Sequence, residues 1–140
     1  MKIFNVEMVR AILDGRKTVT RRPIKPQPEE NTDCPYHTGI GENRKARTLP
    51  YRPGETVYVK EDWGVEADRI KLEIVSVRPE RLQEISREDA KHEGFHSYGN
   101  AQLAFQACWD SIYADKYPWD SNPWVWRIEF EVIGEKDEST

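Results

Sequence analysis

The amino-acid sequence predicts an α+β fold, a small barrel-like sheet of mixed strands with short helices at its periphery. Three observations lead there. Stretches that alternate apolar and polar residues stand well apart, around 56–60, 70–77 and 124–132. Short helical patterns lie between them. No regular strand–helix–strand rhythm runs through the chain, so a parallel α/β sheet is excluded. The 140 residues amount to one domain with a single core.

Residues 6–14 read as a helix, with Asn5 as its cap, Met8, Val9, Ile12 and Leu13 as its apolar stripe, and Gly15 as its stop. Thr18-Val19-Thr20-Arg21-Arg22 is a β-branched, polar strand that Pro23 should end. Residues 23–53 hold six prolines and no periodicity, the mark of an insert or flap rather than an ordinary connection. Thr56 to Lys60 is a strand. Ile70, Leu72 and Ile74 alternate with Lys71, Glu73 and Val75 in a longer one, expected to run up to Pro79. Ser86-Arg87-Glu88-Asp89 resembles a capping box, with Ile85 and Ala90 as a small hydrophobic staple, and opens a helix that stops at Gly94. A third helix is expected over 101–114, with Leu103, Cys108 or Trp109, Ile112 and Tyr113 along one face. Trp124, Trp126, Ile128, Phe130 and Val132 form the strongest strand, both tryptophans belonging to the core.

Composition narrows the function. Apolar residues make up 37% and charged residues 33%, with five Trp and six Tyr, too aromatic for a disordered chain. No apolar run approaches the roughly 20 residues of a membrane span, and the first residues lack a signal-peptide core. Two cysteines make no disulfide framework. A cytoplasmic protein without membrane contact is the expectation. Residues 1–60 carry 12 Lys/Arg against 7 Asp/Glu, whereas residues 61–140 carry 9 against 18. An anionic partner such as RNA would therefore touch the first half.

That half holds the densest chemistry. Gly15-Arg16-Lys17-Thr18-Val19-Thr20-Arg21-Arg22 offers four cations and two hydroxyls between a helix and a strand. Such a cluster binds phosphate, or lets a lysine of lowered pKa activate a threonine hydroxyl, or is simply a solvated basic turn. Trp63 and Tyr58 are candidates for stacking on a base. Cys34-Pro35-Tyr36-His37 supplies half a zinc site, which His92, His96 or Cys108 would have to complete. No phosphate-binding glycine loop or dinucleotide fingerprint occurs, so neither a nucleotide cofactor nor a metal is expected.

Gly15-x-Lys17-x-x-Thr20-x-Arg22, following Ala11-Ile12-Leu13-Asp14, resembles the signature loop of the ASCH domain family. The likeness continues through Pro53-Gly54-Glu55-Thr56-Val57-Tyr58-Val59, Ile70 to Val77, Ile85-Ser86 to Gly94, and Trp126 to Phe130. Glu61-Asp62-Trp63, Trp109-Asp110-Ser111-Ile112-Tyr113 and Asn122-Pro123-Trp124-Val125-Trp126 are similar to phage and prophage members. The resemblance implies a PUA-like barrel over 1–133, with a proline-rich insert at about 23–52 and an acidic tail at 134–140. It also implies hydrolysis of an acyl amide on a modified pyrimidine nucleoside such as N4-acetylcytidine. Lys17 would then be the base, Thr20 the nucleophile and Glu93 the proton shuttle. Arg16, Arg21, Arg22, Trp63 and Tyr58 would bind substrate or RNA. Arg21 stands where the hydrolase loop carries an aliphatic residue. A non-catalytic RNA-binding or modified-base-binding module and, more weakly, a ribonuclease are the other activities the family implies.

Overall fold

A computed structural model of the protein describes residues 6–25, 27, 50–59, 70–95 and 99–135. In chain order these form α1 (Val6–Leu13), β1 (Val19–Pro23), β2 (Thr56–Tyr58), β3 (Ile70–Arg81), α2 (Arg87–His92), α3 (Ala101–Tyr113) and β4 (Trp124–Glu135). Single 3-10 turns at Leu82–Glu84 and Trp119–Ser121 lead out of β3 and into β4. Asn5, Cys34, His37, Lys60, Trp63, His96, most of the proline-rich insert and the end of the acidic tail lie outside the described residues.

The strands stand in the order β1-β4-β3-β2. Every neighbouring pair is antiparallel, where mixed strands were expected. Each connection returns the chain in the opposite sense, so no parallel neighbours arise among the described residues. Register shifts between Lys71 and Leu72 and between Ile74 and Ser76 put bulges into β3. Bulges bend and twist a strand, and the sheet curls into a half-barrel with short helices around it, a small α+β fold of PUA-like form.

Pro23 is the last residue of β1, where the sequence puts the strand's end, whereas β3 runs past Pro79 to Arg81. Pro23 pairs with Val125, and Pro79 pairs with Trp126 as β3 continues to Arg81. A proline needs only a side of the strand where its missing N–H is not called on. Among the described residues β2 covers β3 only at Lys71 to Glu73, which leaves that side open at Pro79.

Side-chain alternation along β4 then places the core. Trp126, Ile128 and Phe130 pack on one face against Val9 and Ile12 of α1 and against Leu72, Ile74 and Val77 of β3. Each such side chain, fully buried, contributes about 1.5–3 kcal/mol. Val125 points the other way, into a second cluster of Leu82, Ile85, Ala90, Phe95, Phe105 and Trp109. Trp124 is only partly buried, with the Arg81 guanidinium 5.0 Å from its ring centre. Ser86 caps α2 by accepting from the Asp89 N–H at 3.0 Å, and Ile85 and Ala90 are both buried beside it. On α3 the buried face is Ala101, Phe105 and Trp109, spaced four apart, while Leu103 is 60% exposed. The i, i+4 row thus sets the contact, and the expected stripe through Leu103 does not.

Candidate functional site

The site begins with the way α1 ends. Gly15 takes a left-handed φ of +82°, its N–H donating to Ile12 O at 3.1 Å, and the Arg16 N–H reaches back to Ala11 O at 2.9 Å. This paired closure is the Schellman arrangement, which a glycine at that position permits. The Lys17 N–H also donates to Ala11 O, at 3.0 Å. Lys17 then forms a single antiparallel bridge with Glu93, just past α2, and the Thr18 N–H donates to His92 O at 2.8 Å. Gly94 follows with φ +119°, and a Cβ there would stand 3.4 Å from Met8 Sδ and 3.6 Å from Ala11 Cβ. Two glycines therefore let the end of α1 and the end of α2 meet with Lys17 and Glu93 between them.

Lys17 is buried, and its Nζ donates to Glu93 Oε1, Glu93 O and Val19 O, each at 3.1 Å. Burial pushes its pKa below the ordinary lysine value of 10.5, against the opposing pull of the Glu93 carboxylate, and Arg22 adds to the lowering. Glu93 is buried as well, and its second oxygen accepts from Arg21 Nη1 at 2.9 Å. Thr20 is 5% exposed and lines the same cleft as Lys17 and Glu93. Its hydroxyl has no hydrogen-bond partner among the described residues.

Arg21 lines the cleft as well, and its guanidinium is tied to carboxylates. Its side chain is completely buried, and its Nε and Nη2 donate to Glu80 Oε2 at 3.1 and 2.8 Å. Nη2 also meets Asp89, whose two oxygens accept from Arg127 at 2.7 and 3.1 Å. Lys17, Arg21 and Arg127 are thus matched by Glu93, Glu80 and Asp89 in one continuous network. The two arginines hold the Asp89 carboxyl well below its ordinary value, chiefly through the Arg127 hydrogen bonds. The carboxylates in turn raise Arg21 against its burial. The basic loop of the sequence contributes fewer cations to a ligand than its composition suggests, because Lys17 and Arg21 are already spent on carboxylates.

The cleft holds about 490 Å³ of space, open solvent at its mouth included. One wall is polar: Lys17, Thr20, Arg21, Arg22 and Glu93. The other is apolar, with Met8, Phe95 and a run of α3 residues, Phe105, Cys108, Trp109, Ile112 and Tyr113. Burial raises the Cys108 thiol, with Glu93 adding to the rise and Lys17 opposing it. Sequence reasoning assigned the α3 aromatics to helix packing alone. Their helical spacing was visible, but the facing of α3 onto the signature loop is a tertiary fact. Tyr58 does not reach this site; it is 40% exposed on β2, at the opposite edge of the sheet from β1. Arg16 sits at the surface and pairs with Asp14 at 2.9 Å. Trp63 lies outside the described residues. Among the described residues no three His, Cys, Asp or Glu side chains gather around a metal position, and no helix is long and apolar enough to cross a membrane.

No protein-family model matches the sequence, and no curated protein matches it. Solved structures do. An ASCH domain from Lactobacillus crispatus is 18% identical, with a TM-score of 0.55 over 91% of this chain and 70% of its own. Protein EF3133 from Enterococcus faecalis is 14% identical, with a TM-score of 0.57 over 95% of this chain and 74% of its own. The hypothetical protein PH0355 is 15% identical, with a TM-score of 0.53 over 95% of this chain and all of its own. At these identities the likeness shows a shared fold, the ASCH-type PUA-like fold that the signature loop and strand pattern anticipated.

Proposed function

We propose that the cleft hydrolyses an acyl amide carried by a modified pyrimidine nucleoside, with N4-acetylcytidine as the reference substrate. The observation that carries this reading is that two side chains of the signature loop and one from the end of α2 line a single cleft. Lys17 of lowered pKa, Thr20 and Glu93 line one cleft. An amide is a poor electrophile, so a hydroxyl nucleophile needs a base, and its oxyanion needs a nearby positive charge.

The steps follow from the groups present. Neutral Lys17 takes the Thr20 proton as Oγ bonds to the acyl carbon. The new ammonium lies beside the oxyanion that forms. Collapse breaks the C–N bond, and the proton passes by way of Glu93 to the leaving amine. Water then attacks the acyl ester on Thr20 as Lys17 takes its proton, and collapse breaks the Oγ–acyl bond, Lys17 returning that proton to Thr20 Oγ as the carboxylic acid leaves. In the resting arrangement three acceptors surround Lys17 Nζ, which suits the ammonium with its three N–H groups. The base form gives up one of those contacts. Activity is therefore expected to rise with pH, through an apparent pKa below 10.5.

The test is incubation of the purified protein with N4-acetylcytidine, with cytidine followed by liquid chromatography. Thr20→Ala is expected to abolish release, and Lys17→Ala to lower it by about a hundredfold to ten-thousandfold, the usual range for a general base. No cytidine from the folded wild-type protein would overturn the hydrolase reading. Salt-sensitive RNA binding would then become the alternative to measure.

A further inference from the structure

We infer that Arg21 is a positioning residue for Lys17: it takes one oxygen of Glu93 and so limits the hold of that carboxylate on the Lys17 amine. The inference rests on the hydrolase reading for the use to which the amine is put, but its geometry is independent of turnover. Arg21 stands in β1 with its side chain completely buried, and its planar fork is pinned from two sides. Glu80 of β3 accepts from Nε at 3.1 Å and from Nη2 at 2.8 Å, and Nη2 also meets Asp89 of α2. Asp89 is in turn held by Arg127 of β4, at 2.7 and 3.1 Å. A guanidinium fixed in this way aims its remaining nitrogen, Nη1, at Glu93 Oε2, 2.9 Å away. Lys17 Nζ donates to the other oxygen, Oε1, at 3.1 Å. One buried carboxylate therefore bridges two buried cations.

The bridge has a consequence for the base. A carboxylate given wholly to one amine favours the ammonium and keeps the neutral form out of reach. Sharing that carboxylate with a second cation weakens the hold, and the second positive charge itself disfavours the ammonium. An arginine keeps its charge at any working pH, so the sharing is permanent. Arg22 of β1 and Cys108 and Tyr113 of α3 are the other titratable side chains that line the cleft, while α1 contributes the uncharged Met8. Arg22 adds to the lowering of the Lys17 pKa and Cys108 opposes it. Arg21 acts through the carboxylate, by its direct hydrogen bond to Glu93. Taking the Arg21 charge away removes a like charge and releases Glu93 onto Nζ, and both changes favour the ammonium.

The NMR shift of the Lys17 side-chain carbons, followed against pH and assigned by its loss in Lys17→Arg, reads the amine without turnover. In the wild-type chain the midpoint is expected below 10.5. Arg21→Met should raise it by about one unit, and Arg21→Gln, which keeps a polar side chain, should do the same if the first variant does not fold. Below both midpoints that rise is a roughly tenfold loss of neutral amine, and turnover of N4-acetylcytidine should fall with it. Arg21→Lys, which keeps the charge, should recover most of the shift. Asp89→Asn loosens the network but leaves Arg21 on Glu93, so it should not raise the midpoint. A wild-type midpoint at or above 10.5 overturns the inference. So does a midpoint unmoved in a folded neutral variant at position 21, or an equal rise in Asp89→Asn. The expected shifts without cytidine release by the wild-type chain would sink the hydrolase and leave the role of Arg21 standing. Cytidine release with the midpoint unmoved would do the reverse.

Discussion

The two faces of β4 are covered differently, one by apolar side chains alone and the other, beyond Val125 and its apolar cluster, by charged ones. On one face Trp126, Ile128 and Phe130 meet Leu72, Ile74 and α1 in an apolar core. On the other, Arg127 joins Arg21, Glu80, Asp89 and Glu93 in a network of matched charges beside the cleft. The apolar face gains stability from area removed from water and tolerates changes of shape. The charged face gains little net stability from its pairs, because desolvation offsets most of their attraction. What it gains is position. Glu93 is gripped by Arg21 on one oxygen and Lys17 on the other, so its carboxylate is fixed in the lining of the cleft.

The largest effect expected is that of removing one member of the charged face. Arg21→Met should lower stability by about 3–5 kcal/mol, because three carboxylates lose a partner in a buried setting. Leu72→Ala on the apolar face should cost a similar amount, about 2–5 kcal/mol. The two differ in how they combine. Arg21→Met and Glu93→Gln together should fall short of additivity by more than about 1 kcal/mol, whereas Leu72→Ala should add to either within about 0.5 kcal/mol. Urea unfolding of the single and double variants reads this directly. Full additivity of Arg21→Met with Glu93→Gln would mean that the network is a set of separate pairs.

The same contrast explains what was legible in the sequence. Alternation along 124–132 and 70–77 located the apolar face, because burial of alternate apolar side chains is a period-two signal in one stretch of chain. Arg127, Glu129, Glu80 and Arg21 occupy the intervening positions, where alternation reads as solvent. Nothing local says that Arg21 is buried while Arg16 is exposed; the difference arises because α2 lays Asp89 and Glu93 over one of them and not the other. The signature loop brought Lys17, Thr20 and Glu93 into view through resemblance, and they do line one cleft. Trp63, just past a strand end, and Tyr58 are the stacking candidates the sequence offers, while Trp109 and Tyr113 satisfy helical spacing and read as packing. Pro79 reads as a strand end for a similar reason: the rule concerns the N–H side, which only the pairing reveals.

Acid should separate the faces next. Asp89 has its pKa lowered from the ordinary 3.8, first by hydrogen bonds from Arg127 and then by Arg21. A depressed carboxyl contributes stability that is fully present above its unfolded pKa and is lost as pH falls through the folded one. The difference in unfolding free energy between the wild-type chain and Asp89→Asn should therefore be widest above about pH 5 and shrink steadily below pH 4. Leu72→Ala should show a cost that hardly varies over the same range. Denaturant midpoints measured from pH 7 to pH 3 make the comparison, and a flat Asp89→Asn difference would show that the Arg127 pair does not persist in solution.

The smallest effect concerns the turn that joins the two faces. Gly15 ends α1, which packs on the apolar side, and two residues later Lys17 enters the charged one. Its φ of +82° is left-handed, yet a Cβ built there meets nothing within 4 Å. The cost of Gly15→Ala is therefore conformational alone, about 1 kcal/mol, and Gly15→Asn should cost less because asparagine tolerates that region. Stability and activity should respond differently. The Schellman bonds to Ile12 and Ala11 set where Lys17 leaves the helix, and Nζ must satisfy acceptors on both Glu93 and Val19. A small shift at the turn is thus passed to the base itself. Turnover of N4-acetylcytidine by Gly15→Ala should fall by more than the roughly fivefold that 1 kcal/mol would represent if it acted on the transition state. Equal small losses in both would mean that the bridge to Glu93, and not the helix end, holds Lys17 in place.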